Sequence, residues 1–131
     1  MNWTTKTIDE CCDFLAECKG WKHKGGRWYH PVYHKLGSGQ KRHPIPATLD
    51  AIAGALPDEW VWCVVEFYDY KGVGAYARNK TRDDYVEDWT RAEANTELLA
   101  RARAACMAWE AVLDQGADVA AQARGNRRAE E

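Results

Sequence analysis

From Trp60 to Asn79, WVWCVVEFYDYKGVGAYARN, apolar residues follow the two-residue period of a strand, which predicts two strands joined by a tight turn at Lys71-Gly72. Strict alternation places Val61, Cys63, Val65 and Phe67 on one side and Trp60, Trp62, Val64, Tyr68 and Tyr70 on the other. The first side is wholly apolar and needs a cover, which amphipathic helices laid across the sheet would supply. The second is aromatic but carries Glu66, so it is expected to be half covered or to meet a partner. In the return strand Val73, Ala75 and Ala77 alternate with Gly74, Tyr76 and Arg78, giving a shallow face against which a helix can settle.

Helical spacing flanks this ribbon. Thr7-Ile8-Asp9-Glu10 is a capping box, and Ile8, Cys11, Leu15 and Cys18 form an apolar stripe that Cys12 and Phe14 widen. Gly20 supplies the left-handed residue that ends this helix, and Trp21 beyond it can fold back on the last turn. The Gly25-Gly26 pair predicts a two-residue hairpin turn, and Pro31 puts the following strand at an edge. Residues 35–47, KLGSGQKRHPIPA, are expected to form a mobile loop. Thr48 caps a second helix with Leu49, Ile52, Ala53 and Leu56 on its buried face. Residues 80–89 read as a polar, acidic loop pinned by Tyr85 and Trp89. Thr90-Arg91-Ala92-Glu93 repeats the capping-box pattern and predicts a third helix, with Ala94, Leu98, Ala102, Ala105, Trp109 and Val112 on one face and Gly116 as its end. The expected architecture is α+β, a small antiparallel sheet covered by helices in the order α-β-β-α-β-β-α, with a single domain over 1–114 and a flexible tail over 115–131.

Charge adds a polarity that net charge conceals. The formal balance is -2, yet no acidic residue stands between Glu17 and Asp50, where Lys19, Lys22, Lys24, Arg27, Lys35, Lys41, Arg42 and every histidine of the chain lie. Trp21, Trp28, Tyr29 and Tyr33 interleave with these cations, the pairing a nucleic-acid surface uses, since cations neutralise phosphates and flat rings stack on bases. The same residues also fit a core of rings edged by solvated lysines. Lys22, Lys24, Arg27, Trp28, Tyr29, Tyr33, Lys35, Lys41 and Arg42 are therefore the first candidate binding surface, for a partner protein or nucleic acid. Trp62, Tyr68, Tyr70, Tyr76 and Arg78 are the second, because interfaces concentrate energy in Trp, Tyr and Arg.

Other chemistry is weakly signalled. His23, His30, His34 and His43 match no zinc spacing, and His30 and His34 on an extended segment stand about 13 Å apart. The carboxylates Glu66, Asp69, Asp83, Asp84, Glu87 and Asp88 carry no catalytic signature, and phosphate-loop, nucleophile-elbow and His-Glu-x-x-His motifs are missing. No cofactor, metal site or enzymatic role is expected. Cys11, Cys12, Cys18, Cys63 and Cys106 read as buried free thiols in a reducing compartment, and no signal peptide or membrane span is expected.

Several short motifs in this order carry a resemblance: a helix ending in Gly20-Trp21, the strand Trp28-Tyr29-His30-Pro31, Leu49-Asp50-Ala51-Ile52-Ala53, a Trp-containing strand pair, and Ala102-Arg103-Ala104-Ala105-Cys106. Over roughly residues 7–114 the chain resembles the small bacteriophage and prophage proteins of the phage ABA sandwich domain. The resemblance implies an α/β sandwich of phage origin and brings no catalytic residues with it. It further implies an accessory protein in the host cytoplasm that binds a host macromolecule, anti-defence (anti-CRISPR-like) inhibitors included. The alternative is a nucleic-acid-binding module built on residues 19–43. The Ala-rich stripe of the third helix would also permit a homodimer.

Overall fold

Thr7 opens the first helix, α1 (Ile8–Cys18), with both halves of its capping box in place: Glu10 N–H donates to the Thr7 hydroxyl, and Thr7 N–H to the Glu10 carboxylate. Gly20, at φ 93°, ends it, with Gly20 N–H donating to Glu17 O and Trp21 N–H to Ala16 O, the paired bonds of a Schellman stop. In this computed structural model residues 2–32, 39–68, 72–80 and 90–130 are described, Tyr68 and 115–130 by backbone alone. A hairpin follows, β1 (Lys22–Lys24) and β2 (Arg27–Tyr29), then α2 (Leu49–Ala53) capped by the Thr48 hydroxyl. A three-stranded antiparallel sheet comes next: β3 (Trp60–Tyr68), β4 (Gly72–Asn79) and β5 (Thr90–Ala94) in that spatial order, and α3 (Glu97–Glu130) closes the chain. Among the described residues the fold is mixed α+β, with three α-helices and two small antiparallel sheets.

Four features of this fold depart from expectation. Residues 90–94 are a strand, although Thr90 to Glu93 spells a capping box. Pairing decides it: Tyr76 faces Arg91 and Ala75 faces Ala92 across the β4–β5 ladder. The helix cap moves to Thr96, whose hydroxyl accepts Leu99 N–H and whose carbonyl accepts Ala100 N–H. The third helix also runs through Gly116 to Glu130; an interior glycine costs only about 1 kcal/mol, and Ala117, Ala120 and Ala121 beyond it favour the helix. In α2, Leu49 stays exposed while Ile52 and Ala55 take the buried positions.

The fourth departure lies in β3. Trp62 pairs with Ala77 and Val64 with Tyr76, so Cys63 is an extra residue, a β-bulge, and the alternation of faces changes phase there. Trp60 and Trp62 therefore share a side with Ala77, joined after the bulge by Val65 opposite Ala75. The expected Val61-Cys63-Val65-Phe67 face does not exist as a unit, and Phe67 is 71% exposed. The turn at Lys71-Gly72 is described only from Gly72, which already belongs to β4 opposite Tyr68; Tyr85 and Trp89 lie outside the described residues.

Helix α3 packs on both sides. Ala100 and Ala104 meet Val73, Ala75, Ala92 and Ala94 of the sheet, and Ala108 meets Trp60 and Ala77. On its other flank Ala102, Ala105 and Cys106 join Cys11, Cys12, Leu15 and Ala16 of α1 and Ile52 of α2. Alanine at the contacts lets backbones approach closely enough for one helix to serve two layers. Ala102 and Ala105, expected on the helix's apolar stripe, pack inside the chain. Arg103 adds a polar tie: Nε and Nη2 donate to Lys6 O, and Nη1 to Glu93 O.

Candidate functional site

The β1–β2 hairpin is built by its turn. Gly25 and Gly26 both have positive φ, 60° and 76°, as a two-residue turn matching the twist of the strands requires. The resulting register, Lys22 opposite Tyr29, His23 opposite Trp28 and Lys24 opposite Arg27, puts His23 and Trp28 on one face and Lys22, Lys24, Arg27 and Tyr29 on the other. Trp28 is 5% exposed: its ring stacks on His23 at 4.6 Å and lies 4.7 Å from His43, and it joins the α1 core. It is therefore a core residue, and the proposal that it offers a free face to a base is corrected.

The outer face keeps its charge. Lys22 and Lys24 are exposed and Arg27 half-buried. Trp28 exchanges two backbone hydrogen bonds with Gln40, at 2.8 and 2.9 Å, which sets Gln40 beside β2 with the exposed Lys41 and Arg42 next in sequence. Tyr29 lies over Gly39, where a Cβ would stand 2.8 Å from both the Trp28 carbonyl and the tyrosine ring. Of the first candidate set, Lys22, Lys24, Arg27 and Tyr29 share the outer face of the hairpin, Lys41 and Arg42 follow the paired Gln40 in sequence, Trp28 turns inward, and Tyr33 and Lys35 lie outside the described residues.

Two histidines hold this segment to α1 by the same device. His30-Pro31-Val32 and His43-Pro44-Ile45 each fold the ring back, so that Nδ1 accepts the amide two residues on, Val32 N–H at 3.1 Å and Ile45 N–H at 3.0 Å. Since an amide can only donate, Nε2 carries the proton: in His30 it donates to Lys19 O at 3.1 Å, in His43 to Asp13 Oδ1 at 2.8 Å. Both nitrogens of both rings are thereby engaged within the protein. Among the described residues no group of three His, Cys, Asp or Glu side chains is placed to hold a metal ion; His34 lies outside them. The expected mobile loop is, over 39–47, anchored by the Gln40 pairing, the His43–Asp13 bond and buried Ile45. The repeated His-Pro-aliphatic triplet was the sequence signal for this anchoring.

Beside the hairpin is an open groove of about 750 Å³, lined by Trp21, Gln40, Arg42, His43, Pro44, Pro46 and Thr48. Trp21 is half-buried and steadied by the His30 ring at 5.1 Å. A second cavity, about 430 Å³, opens between the N-terminal turn, β5 and α3. Its cations are already committed, Arg91 to Tyr76 and Glu93 and Arg103 to Lys6 and Glu93, so it offers less to a charged ligand than the hairpin does.

The second candidate surface divides. The Trp62 ring turns to the helices, donating Nε1–H to Ala53 O at 3.1 Å with the Arg101 guanidinium 5.0 Å above it. Tyr76 stays on the outer sheet face, in a chain across three strands: Tyr76 donates to Glu66, Arg91 Nε donates to the Tyr76 hydroxyl, and Arg91 pairs with Glu93. Arg78 is half-buried on β4, Tyr68 closes β3 opposite Gly72, and Tyr70 lies outside the described residues, as do Asp69, Asp83, Asp84, Glu87 and Asp88. The bulge at Cys63 is what separates Trp62 from Tyr76.

Three thiols of α1 and α3, those of Cys12, Cys18 and Cys106, are held protonated, whereas hydrogen bonding to Cys106 lowers Cys11. Burial pushes both Cys12 and Cys18 up to about 11. Cys106 donates to Cys11 O at 3.6 Å, and hydrogen bonding to the Cys11 side chain followed by burial raises it further. These cysteines act as packing residues rather than nucleophiles. No helix among the described residues is long and apolar enough to cross a membrane. No family model matches the chain, and neither a curated protein nor a solved structure matches it.

Proposed function

We propose that this chain is a binding protein that engages a negatively charged macromolecule through the outer face of the β1–β2 hairpin. The observation that carries this reading is the hairpin register, which aligns Lys22, Lys24 and Arg27 on one side; Lys41 and Arg42 are next in sequence to Gln40, which pairs with Trp28 of the same hairpin. Seven lysines and arginines in a stretch of 32 residues without a carboxylate, 18–49, create a local positive field on a chain whose net charge is -2. Phage or prophage origin, a partner in the host cytoplasm and an anti-defence role all belong to this proposal through the resemblance to the phage ABA sandwich proteins.

Heparin chromatography tests the reading with a generic polyanion. Wild type is retained at low salt, and Lys22→Glu/Lys24→Glu elutes at distinctly lower salt with an unchanged circular dichroism spectrum. Equal retention of the two proteins, or no retention of either, overturns it.

A further inference from the structure

We infer that the anionic partner is a single-stranded nucleic acid, with phosphates on Lys22, Lys24 and Arg27 and one base stacked on the Tyr29 ring beside them. This rests on the polyanion reading and adds the ligand's chemical class.

Register puts the ring and the cations on one face. Tyr29 stands directly opposite Lys22, and Lys24 directly opposite Arg27, so all four side chains leave the hairpin on the side away from His23 and Trp28. Opposed side chains of an antiparallel pair have Cβ atoms about 4.5–5.5 Å apart, which sets the Lys22 stem next to the phenol. The cations are also available. Among the described residues no carboxylate pairs with Lys22, Lys24 or Arg27, whereas Lys6 pairs with Glu10, Arg91 with Glu93 and Arg101 with Glu97.

The ring is positioned before any ligand arrives. A Cβ on residue 39 would stand 2.8 Å from Tyr29 Cε1 and 3.0 Å from Cδ1, so the ring lies against this backbone only because Gly39 has none. Gly39 also has φ 73°, a conformation that side chains other than glycine's rarely adopt. With the Trp28–Gln40 bonds holding the neighbouring residue, one side of the ring is braced while Tyr29 stays only half-buried. Such preorganisation lowers the ordering cost of binding.

A braced ring among unpaired cations matches a ligand that carries charge and flat apolar surface together. An unpaired strand does so at every nucleotide: its phosphates meet the lysines and arginine, and its base presents a face to the phenol. A duplex keeps its base faces stacked on one another and offers none without extrusion. Carboxylates of an acidic protein would satisfy the cations and leave the ring without a flat counterpart.

Fluorescence anisotropy on the full chain, with ligands carrying the same number of negative charges, is the test: an oligothymidylate, an abasic oligomer of the same length, a duplex of half that length, and polyglutamate. Stacking of one base makes the oligothymidylate bind roughly tenfold more tightly than the abasic strand. Tyr29→Leu lowers oligothymidylate binding to the abasic level and leaves abasic binding unchanged, whereas Lys22→Glu/Lys24→Glu weakens both. Should Tyr29→Leu fail to fold, the wild-type ratio decides alone. Equal affinity for abasic and base-bearing strands, or a base preference that survives Tyr29→Leu, overturns the stacking inference while leaving the polyanion reading standing. Polyglutamate matching the oligothymidylate assigns the face to acidic proteins, and tighter binding of duplex assigns it to double-stranded nucleic acid; either result overturns the inference. Binding of none of the four removes both readings.

Discussion

The Trp109 indole donates its N–H to the carbonyl of Ala55 at 2.7 Å, and it is one of three side chains that close the end of α2. Trp62 Nε1–H reaches Ala53 O at 3.1 Å, and Lys19 Nζ reaches Gly54 O at 3.2 Å. Three consecutive carbonyls that a helix terminus leaves without intrahelical partners are thus met from α3, β3 and the end of α1. A helix of five residues, too short to stand alone, is held by what surrounds it.

Removing one of these donors is costly because the carbonyl it leaves is part-buried. Trp109→Phe keeps most of the ring's packing and deletes only the N–H. It is expected to lower unfolding free energy by about 1–3 kcal/mol in urea titration. A change below a few tenths would mean that water replaces the indole without penalty.

Gly20 carries a different constraint. At φ 93° a Cβ is strained, and one built there would also stand 3.3 Å from His30 Nε2. Gly20→Ala is predicted to cost about 1–2 kcal/mol and to loosen the His30–Lys19 bond that seats the hairpin. Thermal melts measure the first effect; earlier hydrogen exchange at Val32 N–H, the other partner of His30, measures the second.

Alkaline pH should destabilise the fold through its thiols. Cys12 and Cys18 hold their protons to about pH 11 in the folded chain, against 9.0 for a thiol in water. The folded state thus binds these protons more tightly than the unfolded state does. Their contribution is complete below pH 9.0 and is lost as pH rises from there to about 11. Unfolding midpoints recorded across that window should fall steadily. At about pH 8 roughly one in a thousand of either thiol is ionised, so alkylation of Cys12 and Cys18 in native protein is far slower than in denaturant.

Ala104 tests the two-sided packing of α3. It is fully buried against Ala75, Ala92 and Ala94. Ala104→Leu forces the sheet and helix apart and is predicted to cost about 1–3 kcal/mol in chemical denaturation, whereas Leu113→Ala, at an exposed position of the same helix, stays within about 0.5 kcal/mol.

What was legible in the sequence was local. The Thr7 capping box, the Gly20 stop and the Gly25-Gly26 turn each depend on a few adjacent residues, and each stands where its pattern placed it. What was not legible depends on distant partners. Thr90 to Glu93 has the letters of a helix start, and pairing with β4 makes it a strand. The Cys63 bulge inverts the faces of half a strand, yet nothing in WVWCVVEF marks which residue lacks a partner. Trp28 was ambiguous for the same reason: its burial follows from Gln40 and His43, which reach it from beyond the intervening loop. The cations of the hairpin were readable as a cluster, but their common face required the register.

The salt dependence of binding tests the central claim, that Lys22, Lys24, Arg27, Lys41 and Arg42 act together on a polyanion. With five phosphates neutralised, log K against log salt for a single-stranded oligonucleotide has a slope of about -3.5, and Lys22→Glu/Lys24→Glu reduces it to about -2 or shallower. A slope near zero in the wild type, or one that the double charge reversal leaves unchanged, contradicts the account.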